Sequence, residues 1–221
     1  MILLASKSSG RLATLRAAGV EPLVRVSTVD EEAVLGELIQ RRRDAGLTAP
    51  SAAEQVQALA RAKALDVMAS TDPQEAEVVV GCDSMLEISG QVVGKPADAA
   101  QARERWQMMS GGTGTLRTGH FLVRTADGAI AEGVSSATIR FGSPTQTEIE
   151  AYIASGEPLW CAGAFTIDGL GGAFIEGIDG DPHGVVGISL PLLRRLLADL
   201  EVLWTDLWAP PPVSKPTGDA H

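Results

Sequence analysis

Two charged residues, Asp83 and Lys95, are the first candidates for chemistry in this chain. Val78-Val79-Val80-Gly81-Cys82 is the short apolar run of a buried strand, and Asp83 stands at its end. An acid at the open end of a buried strand serves general-base or metal chemistry in α/β sheets; the same position also suits a plain turn residue. Met85, Leu86 and Ile88 continue extended, Ser89-Gly90 turns, and Val92-Val93 returns toward Gly94-Lys95-Pro96. This hairpin is expected to set Lys95 beside Asp83. Opposite charges about 4 Å apart attract by ~1 kcal/mol in water and by several times more where partly buried, so the pair predicts an ionised Asp83.

A second cation, Lys63, falls in the middle of an apolar helical stripe formed by Val56, Leu59, Ala60 and Val67. Its ammonium either snorkels to water or meets an anion such as phosphate. The turn Ser6-Lys7-Ser8-Ser9-Gly10-Arg11 offers hydroxyls, helix-start N–H groups and a guanidinium. Such a turn is an ordinary cap or an anion cradle. Asp30, Glu31 and Glu32 can ligate Mg²⁺ or form a solvated acidic patch. His120, His183 and His221 lack metal-ligand spacing, and no Gly-x-x-x-x-Gly-Lys-Ser/Thr phosphate loop occurs.

The elements that must hold these residues alternate between strands and helices. Ile2 to Ala5 reads as a buried strand, and a helix capped at Ser8 or Ser9 follows it to about Gly19. Val24 and Val26 alternate as a second strand, Ser27 to Glu32 is an acidic loop, and Val34 to Ala49 is an exposed helix and loop. Ser51-x-x-Glu54 is a capping box for a helix reaching about Ala69. Asp98 caps another helix, carrying Trp106 and Met109, which Ser110-Gly111-Gly112 stops. Phe121 to Val123 and Ala137 to Phe141 are strands with a turn at Asp127-Gly128. Thr145-x-x-Glu148 boxes a helix ending at Gly156. The glycine-dense stretch from Gly163 to Gly187 must approach something closely, and Pro191 to Leu200 is a last amphipathic helix.

With 221 residues and 45% apolar composition the chain buries a single continuous core. The expected organisation is one domain of two lobes over 1–205, followed by a Pro-rich, disordered tail over 206–221. A net charge of −10 argues against general nucleic-acid or anionic-membrane partners. Two cysteines, a short apolar start and no long apolar run predict a soluble, cytoplasmic protein.

The order of these motifs resembles the Maf-like nucleotide pyrophosphatases from Ile2 to about Leu203. Leu4-Ala5-Ser6-Lys7-Ser8-Ser9-Gly10-Arg11 looks like the family's Leu-Ala-Ser-x-Ser-Pro-Arg-Arg loop, and Val29-Asp30-Glu31 like its acidic loop. Ala60-Arg61-Ala62-Lys63-Ala64, Gly81-Cys82-Asp83-Ser84, Gly94-Lys95-Pro96, Ser110-Gly111, Ala162 to Gly169 and Val185-Val186-Gly187 continue the pattern in order. The resemblance implies an α/β fold with a mixed, strongly bent sheet flanked by helices, two lobes around a central cleft, and often a homodimer. It also implies cleavage of a nucleoside triphosphate between its α- and β-phosphates, with Mg²⁺ or Mn²⁺. Asp83 is then the base that activates water or a metal ligand, Glu31 places metal or water, and Ser6, Ser8, Arg11, Lys63 and Lys95 hold the triphosphate. Asp168 stands at the substrate position that carries glutamine in many members, while Ser9 and Gly10 replace a proline and the first of two arginines. Gly10 motivates an alternative, a non-catalytic nucleotide-sensing factor in division arrest.

Overall fold

The computed structural model describes residues 1–209. Its first strand, β1 (Ile2–Leu4), is wholly buried and lies parallel between β2 (Leu23–Val24) and β3 (Val78–Ile88). Parallel neighbours need crossovers. The first is α1 (Ser9–Ala17), started by Ser8, whose hydroxyl accepts the Arg11 N–H. The second holds α2 (Glu31–Asp44), capped by Asp30, and α3 (Ala52–Met68), which opens with the expected Ser51/Glu54 capping box. β4 (Gln91–Val93) folds back on the end of β3, and α4 (Ala99–Met109) starts at the Asp98 cap. β5 (Thr113–Arg124) and β6 (Ile130–Phe141) form a long antiparallel hairpin against β3.

The Thr145/Glu148 box opens α5 (Gln146–Ala154), and three 3-10 turns between Glu157 and Phe174 follow it. β7 (Ile175–Gly180) adds an outer strand to β6, and α6 (Pro182–Val186) and α7 (Leu190–Asp199) close the order. The described residues thus form an α/β fold. Its mixed sheet of seven strands runs β2-β1-β3-β5-β6-β7, with β4 paired to β3, and seven α-helices flank it.

The long strands serve two separate parts of the core. Val78 and Val80 of β3 and Leu122 of β5 pack with β1 and α7, whereas Leu86 and Ile88 of β3 and Leu116 of β5 pack with α4, α5 and the 3-10 segment. Trp106 centres the second cluster, meeting Phe141, Tyr152 and Phe174 edge-on at 5.6–6.1 Å. Between the two parts, α3 crosses β3 and β5 on glycines. A Cβ on Gly81 would lie 2.1 Å from the Ala60 carbonyl oxygen, and one on Gly119 would lie 2.5 Å from that of Val56. Only glycine admits the helix backbone this close.

Three expectations change here. Asp83 sits in the middle of β3, not at its end, because the antiparallel pairing with β5 runs without interruption from Val78 to Glu87. The glycine-dense stretch contains a strand, β7, that glycine content hid. The 205 boundary also falls inside packed chain: Trp204–Leu207 makes a 3-10 turn that buries Leu207, and Val20 bridges Trp208. The remainder of the Pro-rich tail lies outside the described residues.

His120 ties β5 to the start of α7. Its Nε2 accepts the Ser189 N–H at 2.9 Å, so the ring is neutral and Nδ1 donates to the Thr118 carbonyl at 3.0 Å. Burial pushes its pKa down to about 4 from the usual 6.5. The unfolded chain therefore takes up a proton before the folded one does. The contribution of His120 to stability is complete above pH 6.5 and declines as pH falls toward 4, by on the order of 3 kcal/mol. Urea unfolding of wild type and His120→Gln across this range should show a steeper acid loss in the wild type; parallel curves would refute a neutral buried ring. Gly81→Ala should cost about 1–3 kcal/mol by forcing α3 off β3, which the same unfolding measurement reads.

Candidate active site

A cavity of about 960 Å³ opens where the two parts of the core meet. Ser6, Ser8, Arg11, Glu31, Lys63, Asp83, Lys95 and Asp168 all line it. Residues separated by up to 162 positions thus reach one space because β1, α3 and β3 lie side by side and the 3-10 segment folds over the end of the sheet.

At the cavity floor, Lys63 lies between two carboxylates. Its Nζ donates to Asp83 Oδ1 at 2.5 Å and stands 2.7 Å from Glu31 Oε1. Lys63 and Asp83 are each 8% exposed, whereas Glu31 is exposed. The stripe of α3 explains the burial of the lysine: Ala60, Ala64 and Val67 seat the helix on β3, and Lys63 shares their face. The partner of Asp83 is therefore Lys63. Lys95 also lines the cavity but makes no ion pair with Asp83, because it lies beyond the three-residue β4 ladder, on exposed backbone.

The protonation of Asp83 also departs from the sequence reading. Burial raises its pKa more than the attraction of Lys63 and Arg11 lowers it, so the carboxyl lies above the ordinary range. Glu31 responds in the opposite direction. Burial is its largest single influence and acts upward, but the Lys63 hydrogen bond with the charges of Lys63, Lys95 and Arg11 together holds its pKa below the usual value. Glu31 is not in a loop. It occupies the first turn of α2, aimed by the Asp30 cap.

Arg11 is buried, and its guanidinium is already engaged. Nε donates to the Gly187 carbonyl at 2.7 Å, Nη1 to Ser6 Oγ at 3.0 Å and Nη2 to Ser84 Oγ at 3.2 Å. The fork expected to grip phosphate instead joins α1, β3 and the end of α6. Ser84 closes the Gly81-Cys82-Asp83-Ser84 motif without a role assigned from sequence, and it continues the chain: its hydroxyl donates to Thr118 Oγ1 at 2.8 Å, and Thr118 donates to the Gly184 carbonyl at 2.8 Å. Two of the three departures from the family pattern, Gly10 and Asp168, are neighbours. A Cβ at Gly10 would stand 3.6 Å from Asp168 Oδ2.

Glu157 is a further cavity residue without a sequence signal. It accepts the Leu170 and Gly171 N–H groups at 3.0 Å each and the Tyr152 hydroxyl at 2.9 Å, strapping the loop that carries Asp168. The close approach expected of the glycine-dense stretch is visible there: a Cβ at Gly169 would meet Glu157 Oε2 at 2.5 Å.

Of the groups lining the cavity, Asp83 and Glu31, both paired with Lys63, are the ones that could share a divalent cation with a ligand. Asp83 and Glu31 offer two carboxylates at one place, while the described residues contain no group of three or more His, Cys, Asp and Glu side chains disposed to cage a metal. Mg²⁺ is commonly held by one or two carboxylates plus phosphate oxygens. Among the described residues no helix is long and apolar enough to cross a membrane.

Comparison with known proteins agrees with the motif order. The family model described as Maf-like protein matches residues 1–200. A Streptomyces coelicolor protein named nucleoside triphosphate pyrophosphatase is 53% identical over 209 residues, covering 95% of each chain. Proteins of the same name from Saccharopolyspora erythraea and Salinispora tropica are 50% and 49% identical, covering 94% and 98% of this chain and 97% and 91% of their own.

Removing the shared cation tests the electrostatics directly. In Lys63→Met the Asp83 carboxyl loses its hydrogen-bond donor, so its pKa should rise further, and stability at pH 7 should fall by about 3 kcal/mol. Adding Asp83→Asn should recover part of that loss. Carboxyl titration by NMR with urea unfolding checks both; an unmoved pKa and additive losses would show that the pair is not coupled.

Proposed function

The chain belongs to the family of Maf-like proteins, and from that membership we propose that it is a nucleoside triphosphate pyrophosphatase. The reaction is NTP + H₂O → NMP + pyrophosphate, with the bond between the α- and β-phosphates broken. The observation that carries this reading is the Asp83–Lys63–Glu31 cluster at the floor of a cavity whose rim holds Lys7 and Lys95. The relatives named above bear the same activity as their name.

The geometry supports distinct tasks. The serines and N–H groups at the start of α1 face the cavity and bind phosphate oxygens, and Lys7 and Lys95, both exposed there, neutralise the triphosphate. Arg11, occupied by three protein acceptors, acts by its charge and by fixing the loop around Ser6. Asp83 accepts the proton of the attacking water. A carboxyl raised above its ordinary pKa by burial is a stronger base than a surface aspartate. Lys63 donates to Asp83 and orients it, and Glu31 holds Lys63 from the other side. Water oxygen adds to one phosphorus flanking the bridge, and the bridging oxygen leaves with the other. Asp83 and Glu31 are also the residues that would hold Mg²⁺ or Mn²⁺, and such an ion would supply charge neutralisation and a more acidic water. Asp168, beside the start of α1, faces the substrate as an acceptor.

A panel of nucleoside triphosphates with Mg²⁺ or Mn²⁺ tests this reading. The wild type should release pyrophosphate from at least one substrate, Asp83→Asn should lose about 10²–10⁴-fold in kcat, and Lys95→Ala should raise KM. Inorganic phosphate as the product, or an Asp83→Asn variant with full rate, would overturn it.

A further inference from the structure

Trp160 is 78% exposed, more than any other large apolar side chain among the described residues, and it lines the same cavity as Asp83. A tryptophan left in water forgoes most of the stabilisation that burying its ring would give. Its exposure is not that of a loose loop. Trp160 ends the 3-10 turn Glu157–Trp160, in which Pro158 is buried and Leu159 packs on the second core cluster. The first residue of that turn is Glu157, held by the Leu170 and Gly171 N–H groups and by the buried Tyr152. The backbone leading to the ring is therefore fixed while the ring faces open space.

The cavity lining is chemically mixed. The Ser6–Arg11 turn, Glu31, Lys63 and Asp83 bring charge and hydroxyls, Lys95, Glu157 and Asp168 add further charge, and Met85, Leu116, Phe165 and Trp160 bring apolar surface. A triphosphate belongs with the cations and hydroxyls. What remains attached to it, a flat aromatic base, belongs on the apolar surface, where Trp160 is the only exposed aromatic ring among the described lining residues.

We propose that Trp160 is a stacking platform for the nucleobase, so that the cavity selects nucleoside triphosphates over polyphosphates without a base. The inference rests on the pyrophosphatase reading for its ligand class. Stacking on an aromatic side chain accepts any base, because every base has a π-face, and the edge contacts left to Thr166 and Asp168 then choose among bases.

The test compares binding of nucleotides whose α–β bridge is a methylene group with binding of inorganic tripolyphosphate, both with Mg²⁺, so that no turnover is needed. Trp160→Ala should weaken the nucleotides roughly 5- to 150-fold, the span of ~1–3 kcal/mol per stacked base. It should leave tripolyphosphate affinity unchanged, and Trp160→Phe should restore most of the nucleotide binding. Nucleotide affinity within about twofold of wild type in Trp160→Ala overturns the proposal, as does an equal loss for tripolyphosphate. A wild type that binds these nucleotides but releases no pyrophosphate from the hydrolysable ones refutes the reaction class and leaves the platform standing.

Discussion

The bridge from Lys63 to Asp83 and Glu31 is the interaction around which the rest of this molecule is arranged. Taking a carboxylate and an ammonium out of water costs several kcal/mol each, and mutual attraction recovers that only with good geometry. Here the geometry depends on α3 lying almost on the strand backbone. Gly81 and Gly119 remove the two β-carbons that would hold the helix away. A helix seated further out would leave Lys63 short of Asp83, and Asp83 would then be a buried acid with no donor.

The pair does not cancel the cost of burial. The pKa of Asp83 stays raised despite Lys63 and Arg11, so its environment disfavours the ionised form even with a cation in contact. Such a group adds little to stability and much to reactivity, since a desolvated carboxylate accepts a proton more readily. The stability that permits this comes from elsewhere: from the aromatic cluster around Trp106, from the valine-rich strand pairs, and from α7, whose Leu192, Leu193, Leu196 and Leu197 cover the first cluster. His120 follows a different logic. Its burial disfavours charge in the same way, but two backbone partners fix it as a neutral ring, so it fastens the fold and takes no part in the cavity.

Much of this was legible in the sequence. Both capping boxes formed as the Ser-x-x-Glu and Thr-x-x-Glu spacings require, and the anomaly of Lys63 on an apolar stripe marked a real burial. All eight candidate residues reached one cavity. What the spacing did not reveal was who partners whom. Hairpin logic joined Asp83 to Lys95 because they are close in sequence, but the β3–β5 ladder extends past Asp83 and leaves Lys95 outside. Arg11 looked like a phosphate fork, but its main acceptor, the Gly187 carbonyl, is 176 residues away. Glu157 carries no local signature, and the motif that contains Ser84 does not show its relay to Thr118, since a strap or a relay exists only once distant segments have met.

The overall charge sharpens the role of the local one. At −10 the chain repels a polyphosphate at a distance, and the cavity itself contains Glu31, Asp83, Glu157 and Asp168. Three of these acids are engaged within the protein: Asp83 and Glu31 by Lys63, and Glu157 by two backbone N–H groups and a hydroxyl. Lys63 is committed to carboxylates and Arg11 to oxygens of the fold, which leaves Lys7 and Lys95 as the exposed cations of the cavity. Two lysines and the N–H groups of α1 fall short of the charge of a triphosphate. A divalent cation on Asp83 and Glu31 would make up that difference, and a base held by stacking on an aromatic ring adds affinity that depends on no charge at all.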